Sequence, residues 1–82
     1  MGKPDETYNG WRNYETWNVA LYINNEEPIY RYVLARLGGG ACDWRFMARR
    51  LALTFGEQTA DGVRWEDRDI DADEMNEMLA EM

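Results

Sequence analysis

Histidine is missing from all 82 residues, and with it the commonest general base and the commonest metal ligand. A single cysteine, Cys42, allows no internal disulfide, so a packed core has to hold the fold, as suits a reducing, cytoplasmic setting. No apolar run reaches the length of a membrane span. The first residues show no signal-peptide core, and Glu6 stands where a myristoylation motif would want Ser or Thr. Bases are scarce as well. Nine face sixteen acids, for a net charge of −7, and a chain so charged is repelled by phosphate backbones, which argues against direct nucleic-acid binding.

Apolar material, by contrast, is ample. Hydrophobic residues make up 45% of the chain, with four Trp and five Tyr, more than a disordered acidic tail would carry. The length allows one domain at the small end of what folds unaided. Met1 to Gly10 is polar and reads as a flexible N-terminus, followed by a single helical domain over 11–82.

Four stretches read as helices. Asn13 is a good N-cap with Glu15 in the first turn, and Tyr14, Trp17, Ala20 and Leu21 follow at helical spacing. Trp17, Val19, Leu21 and Ile23 also alternate, so a strand over 14–24 competes with the helix, which the cap and the length favour. Asn25 or Glu27 can cap a second helix with Pro28 in its first turn, an apolar stripe of Ile29, Val33 and Leu37, and Gly38 to Gly40 as its stop. Asp43 precedes the clearest pattern, Trp44, Met47, Ala48, Leu51, Ala52 and Phe55, closed by Gly56. Asp61-Gly62 marks a turn, with a small hairpin around 57–66. Asp71 and Glu74 form a capping box for a last helix whose stripe is Met75, Met78, Leu79 and Met82, with Ile70 stapled onto Met75. The fold class is therefore mainly α, a compact bundle of about four short helices. Its expected core comprises Trp17, Leu21, Val33, Leu37, Met47, Leu51, Phe55, Met75 and Leu79.

Charge is divided unevenly along this bundle. Glu57 to Met82 carries ten acids and two arginines, or −8, whereas Met1 to Gly56 carries seven bases and six acids, or +1. Cap chemistry accounts for Asp71, Asp73 and Glu74. It accounts less well for Asp73, Glu77 and Glu81, which stand at i, i+4 and i+8, where like charges oppose one another. Even if Arg45, Arg49, Arg50, Arg64 and Arg68 each neutralise one acid, five of the ten remain. Carboxylates spaced about 6 Å apart along a helix can imitate a row of phosphates and enter a groove lined with Lys and Arg. Solubility alone is the competing explanation. The expected contact residues are Asp69, Asp73, Glu74, Glu77 and Glu81, with Asp67 and Asp71 secondary.

Other chemistries fare worse. Cys42 precedes a helix start, where a dipole can activate a thiol, but Asp43 opposes this and no histidine can act as base. A calcium loop started at Asp67 would have Ala72 where glycine is needed and Met78 where a bidentate glutamate is needed. No catalytic residue, metal ligand or cofactor site is expected. Tyr8, Trp11, Tyr14 and Trp17 recur every third residue and read as core cover; if exposed, they would favour a homodimer. Arg45, Arg49 and Arg50 cluster on the third helix and are the one feature favouring nucleic acid.

The segment Tyr8 to Asn24, YNGWRNYETWNVALYIN, resembles the opening of small uncharacterised proteins of bacteriophages, prophages and related mobile elements. Their shared motif lies close to Asn13, Tyr14, Glu15, Thr16, Trp17, Asn18 and Val19 as they stand here. The resemblance implies a helical protein in the cytoplasm of a bacterial host and assigns no chemistry. Small acidic phage proteins are often inhibitors of host defence, of the anti-CRISPR or anti-restriction type, and several resemble DNA in charge. Within that setting the expected partner is a defence protein or ribonucleoprotein with a basic nucleic-acid channel. The expected function is its inhibition by a DNA-mimicking C-terminal surface, with an accessory or structural phage protein as the alternative.

Overall fold

The computed structural model describes residues 8–39 and 43–82; the readings of Cys42 and of Gly40 lie outside the described residues. Four helices follow in order, α1 (Tyr14–Asn25), α2 (Glu27–Gly38), α3 (Trp44–Phe55) and α4 (Ala72–Ala80). They form a closed circuit in which α1 packs on α2, α2 on α3, α3 on α4 and α4 on α1. The chain is mainly helical, as its periodicities imply.

Capping is split between local and long-range partners. Asn13 begins α1 as expected, its Oδ1 accepting from the Thr16 amide at 2.9 Å. This decides between helix and strand for the segment after it. Glu26, rather than Asn25 or Glu27, closes α1 and opens α2, with no side-chain cap of its own. Asp43 holds the cap position of α3 without a side-chain bond to an α3 amide, and Asn76 of α4 accepts from Trp44 N at 2.6 Å instead. Gly56 ends α3 at φ 102°, a conformation that strains any residue with a Cβ.

The core is built from Val19, Ile23, Val33, Met47, Leu51, Trp65 and Met75, all buried. Four of the expected core residues, Trp17, Leu21, Leu37 and Phe55, need correcting. Helix α1 turns Thr16, Val19, Ala20 and Ile23 inward, at i, i+3, i+4 and i+7. Tyr14, Trp17 and Leu21 occupy the other side, with Trp17 and Leu21 only half-buried. Both stripes fit a 3.6-residue period; the branched aliphatic one wins the core because the aromatic one packs with Tyr8, whose ring lies 5.3 Å from Tyr14 and 4.8 Å from Trp17. Tyr8 is held by a tight turn in which its N–H and C=O both pair with Trp11, with Asn9 and Gly10 at positive φ. Leu37 is likewise half-buried. Phe55, at the last position of α3, is 37% exposed and meets Tyr32 edge-on at 5.5 Å.

The segment between α3 and α4 has no helix, yet it supplies Val63, Trp65 and Ile70 to the core. Gln58 pairs with Arg64 in one antiparallel bridge, Thr59 N–H donates to Val63 O at 2.8 Å, and Trp65 N–H donates to Glu57 O at 3.0 Å. Asp61-Gly62 forms the tip, Gly62 having φ 90°. Side chains of α1 hold this segment down. The buried Asn18 amide donates to Asp61 Oδ2 at 2.8 Å and accepts from Thr59 Oγ1 at 2.7 Å. Farther along, Asp71 N–H donates to Thr16 Oγ1 at 2.9 Å, and Asn13 Nδ2 donates to the Asp69 carbonyl at 2.7 Å.

Breaking this clamp should be costly, because it leaves the buried Thr59 hydroxyl without its acceptor. Asn18→Ala is expected to lower unfolding free energy by about 2–3 kcal/mol, read from urea titration. Asn18→Asp should cost more, since its carboxylate would face that of Asp61. An unchanged midpoint in both variants would remove the clamp from the account of stability.

Candidate functional site

Each acid of the C-terminal run can now be placed. Asp67 accepts from the Asp69 amide at 2.8 Å, closing a local turn. Asp71 caps α4, its Oδ1 accepting from Glu74 N at 3.0 Å, while Oδ2 lies 3.8 Å from the Arg12 guanidinium. Glu74 does not complete a reciprocal capping box, because the Asp71 amide is already engaged by Thr16. It reaches instead to the backbone of the N-terminal segment, accepting from Arg12 N at 2.8 Å. Asp67, Asp71 and Glu74 therefore have structural partners, and so do Asp61 on Asn18 and Glu66, whose carboxylate lies 3.7 Å from Arg49.

Asp73, Glu77 and Glu81 differ. All three are exposed, and among the described residues none makes an ion pair or a side-chain hydrogen bond. Asp73 and Glu77 share the outward side of α4, opposite the buried Met75 and Leu79, and Glu81 follows as its C-cap, so the three make one outward ridge. The Asp69 side chain is also exposed just before the helix, with only its backbone amide and carbonyl engaged. Where the ridge meets the N-terminal segment, a cavity of about 280 Å³ is lined by Gly10, Trp11, Glu74, Glu77, Met78 and Glu81. The expected seven acids thus separate into a structural set, Asp67, Asp71 and Glu74, and a free set, Asp69, Asp73, Glu77 and Glu81.

The arginines of α3 do not form one patch. Arg45 and Arg49 line a larger cavity, about 390 Å³, together with Trp44, Asp67, Arg68 and Ile70. Arg50 turns the other way and lies over the Phe46 ring, 5.5 Å from its centroid. Nearby, Thr54 donates a hydrogen bond to the Tyr32 oxygen at 3.3 Å, which lowers that phenol below its usual range, with Arg36 adding to the effect. Burial followed by the charge of Asp61 raises Tyr22. Among the described residues no three His, Cys, Asp or Glu stand close enough together to hold a metal ion. No helix among them is long and apolar enough to cross a membrane.

Sequence reasoning missed the polar residues that organise this region. Asn18 and Thr16 sit among apolar neighbours and look like interruptions of a stripe, and Thr59 lies where no periodicity exists. The signal available was chemical: two short polar side chains within an otherwise apolar helix, which burial would oblige to find partners.

A family profile matches residues 4–82 of the chain, nearly its whole length. The chain belongs to the DUF7249 family. That family is one of unknown function, so membership leaves the role of the ridge to be argued from its geometry. No curated protein and no solved structure matches the chain.

The two sets of acids should respond oppositely to neutralisation. Asp71→Ala removes a cap and is expected to cost about 1–2 kcal/mol. Glu77→Gln relieves two like-charge neighbours and should stabilise by about 0.5 kcal/mol. Parallel urea titrations would show the midpoints moving in opposite directions. A loss at Glu77 as large as that at Asp71 would mean that the ridge, too, is structural.

Proposed function

We propose that the chain is a binding protein that docks the ridge of α4 against a basic surface of a partner. The observation that carries this reading is the absence of any partner for Asp73, Glu77 and Glu81, whereas Asp61, Glu66, Asp67, Asp71 and Glu74 of the same run are engaged. Three like charges on one helix face weaken the helix, and their neighbours show that this fold readily gives its carboxylates partners. A docked row of guanidinium or ammonium groups would relieve that repulsion. Asp69, exposed at the start of α4, extends the ridge by one charge.

A basic surface of matching length is what proteins that handle nucleic acid present to phosphates. In the mobile-element setting suggested by the Asn13 to Val19 segment, the partner would be a host defence protein or ribonucleoprotein, and occupation of its channel would inhibit it. The action is stoichiometric rather than catalytic, with association fast and sensitive to salt.

The test is a pull-down of tagged protein from bacterial lysate, with and without excess duplex DNA. A nucleic-acid-binding complex should be captured and then released by DNA. The variant Asp73→Lys, Glu77→Lys and Glu81→Lys should lose the capture while keeping the helical circular dichroism of the parent. Capture that survives both the triple reversal and the DNA would overturn the ridge as the docking surface.

A further inference from the structure

The two most exposed large hydrophobic side chains among the described residues both belong to α3: Leu53, 73% exposed, and Phe46, 56% exposed. They lie two turns apart on the side of the helix facing away from Met47, Ala48 and Leu51. Arg45 and Arg49 run along the same face at i and i+4. Arg45 has no ion pair or hydrogen bond among the described residues, and Arg49 has only the 3.7 Å contact with Glu66. Arg50 flanks the face from the other side, its Nε buried without a hydrogen-bond partner. A helix face that mixes apolar bulk with the free guanidinium of Arg45 and the loosely held one of Arg49 calls for a covering surface that carries carboxylates.

The ridge of α4 has that character. Arg45 and Arg49 repeat at the spacing of Asp73, Glu77 and Glu81, about 6 Å per step along a helix, so the two arginines can each face one of the three carboxylates. Helices α3 and α4 are packed neighbours in the fold. A two-fold pairing that sets α3 of each copy on α4 of the other closes at two chains. We propose that the outer face of α3 is a self-association surface, covered by the acidic ridge of a second copy of this chain. The net charge of −7 opposes the approach of two copies at low salt. At physiological salt the screening length of about 8 Å mutes distant repulsion and leaves apposed pairs in force. The dimer hides the ridge, and so competes with any other basic partner.

Sedimentation velocity from micromolar to submillimolar concentration, in physiological salt, tests this directly. The parent should pass from monomer to dimer. The variant Arg45→Glu with Arg49→Glu, and separately the variant Asp73→Lys with Glu77→Lys and Glu81→Lys, should each remain monomeric. An equal mixture of the two should form a heterodimer, because each then meets the opposite charge on the other. Circular dichroism would confirm that both variants stay folded. A parent that remains monomeric throughout overturns the proposal, including one whose arginines instead shift duplex DNA in a gel. So does a dimer that survives the arginine reversals, as a purely apolar contact through Phe46 and Leu53 would. The arginine variant also separates this inference from ridge docking: it should lose self-association yet still capture a basic partner.

Discussion

Everything in the C-terminal half hangs on a buried amide. Asn18 lies in the middle of α1 with no access to solvent, and its two polar ends are satisfied by Asp61 and Thr59, residues of a segment without regular structure. A buried, unpaired amide is expensive, so the helix and the segment must come together or neither is stable. Once Thr59 and Asp61 are fixed, Val63 and Trp65 are set into the core. Thr16 and Asn13 then fix Asp71 and Asp69, and with them the start of α4. The polar residues of α1 thus act as an address for the last third of the chain.

That arrangement changes the meaning of the acidic excess. Charge counting pairs acids with arginines, yet among the described residues only Asp71 and Glu66 have an ion pair within the acidic run, and both contacts are long. Backbone amides and an asparagine take the rest of the engaged carboxylates. Hydrogen bonds of this kind hold an anion in place without neutralising it. The region therefore keeps its negative field even where its acids are structural, and the ridge of α4 projects from an already anionic base.

Helix existence was legible in the sequence because three of the four stripes are unambiguous. Trp44, Met47, Ala48 and Leu51 on α3 turn inward as their spacing implies, and so do Ile29 with Val33 on α2 and Met75 with Leu79 on α4. Helix α1 was legible as a helix but not in its rotation, since it carries two apolar faces and only contacts outside it decide which is buried. Trp65 was illegible for a different reason: it lies in a segment that Thr59 and Asp61 tie to Asn18 across 41 and 43 positions, and such a segment leaves no local pattern. The free acids could be narrowed to a row by periodicity alone. Their separation from Asp71 and Glu74 depended on knowing that Thr16 and Arg12 lie beside them.

The reach of those hydrogen bonds has a consequence for how the chain acquires its shape. A bundle of short helices ordinarily rests on near-neighbour contacts and folds quickly. Here Arg12, the α1 cap Asn13 and the α1 residues Thr16 and Asn18 complete their polar pairing only with residues 74, 69, 71, 59 and 61, the first of these 62 positions from Arg12. Synthesis from the N-terminus therefore leaves the polar side chains of α1 without their partners until the segment up to α4 has been made. The nine-residue helix α4 then serves as the latch, and the bundle closes all at once rather than helix by helix.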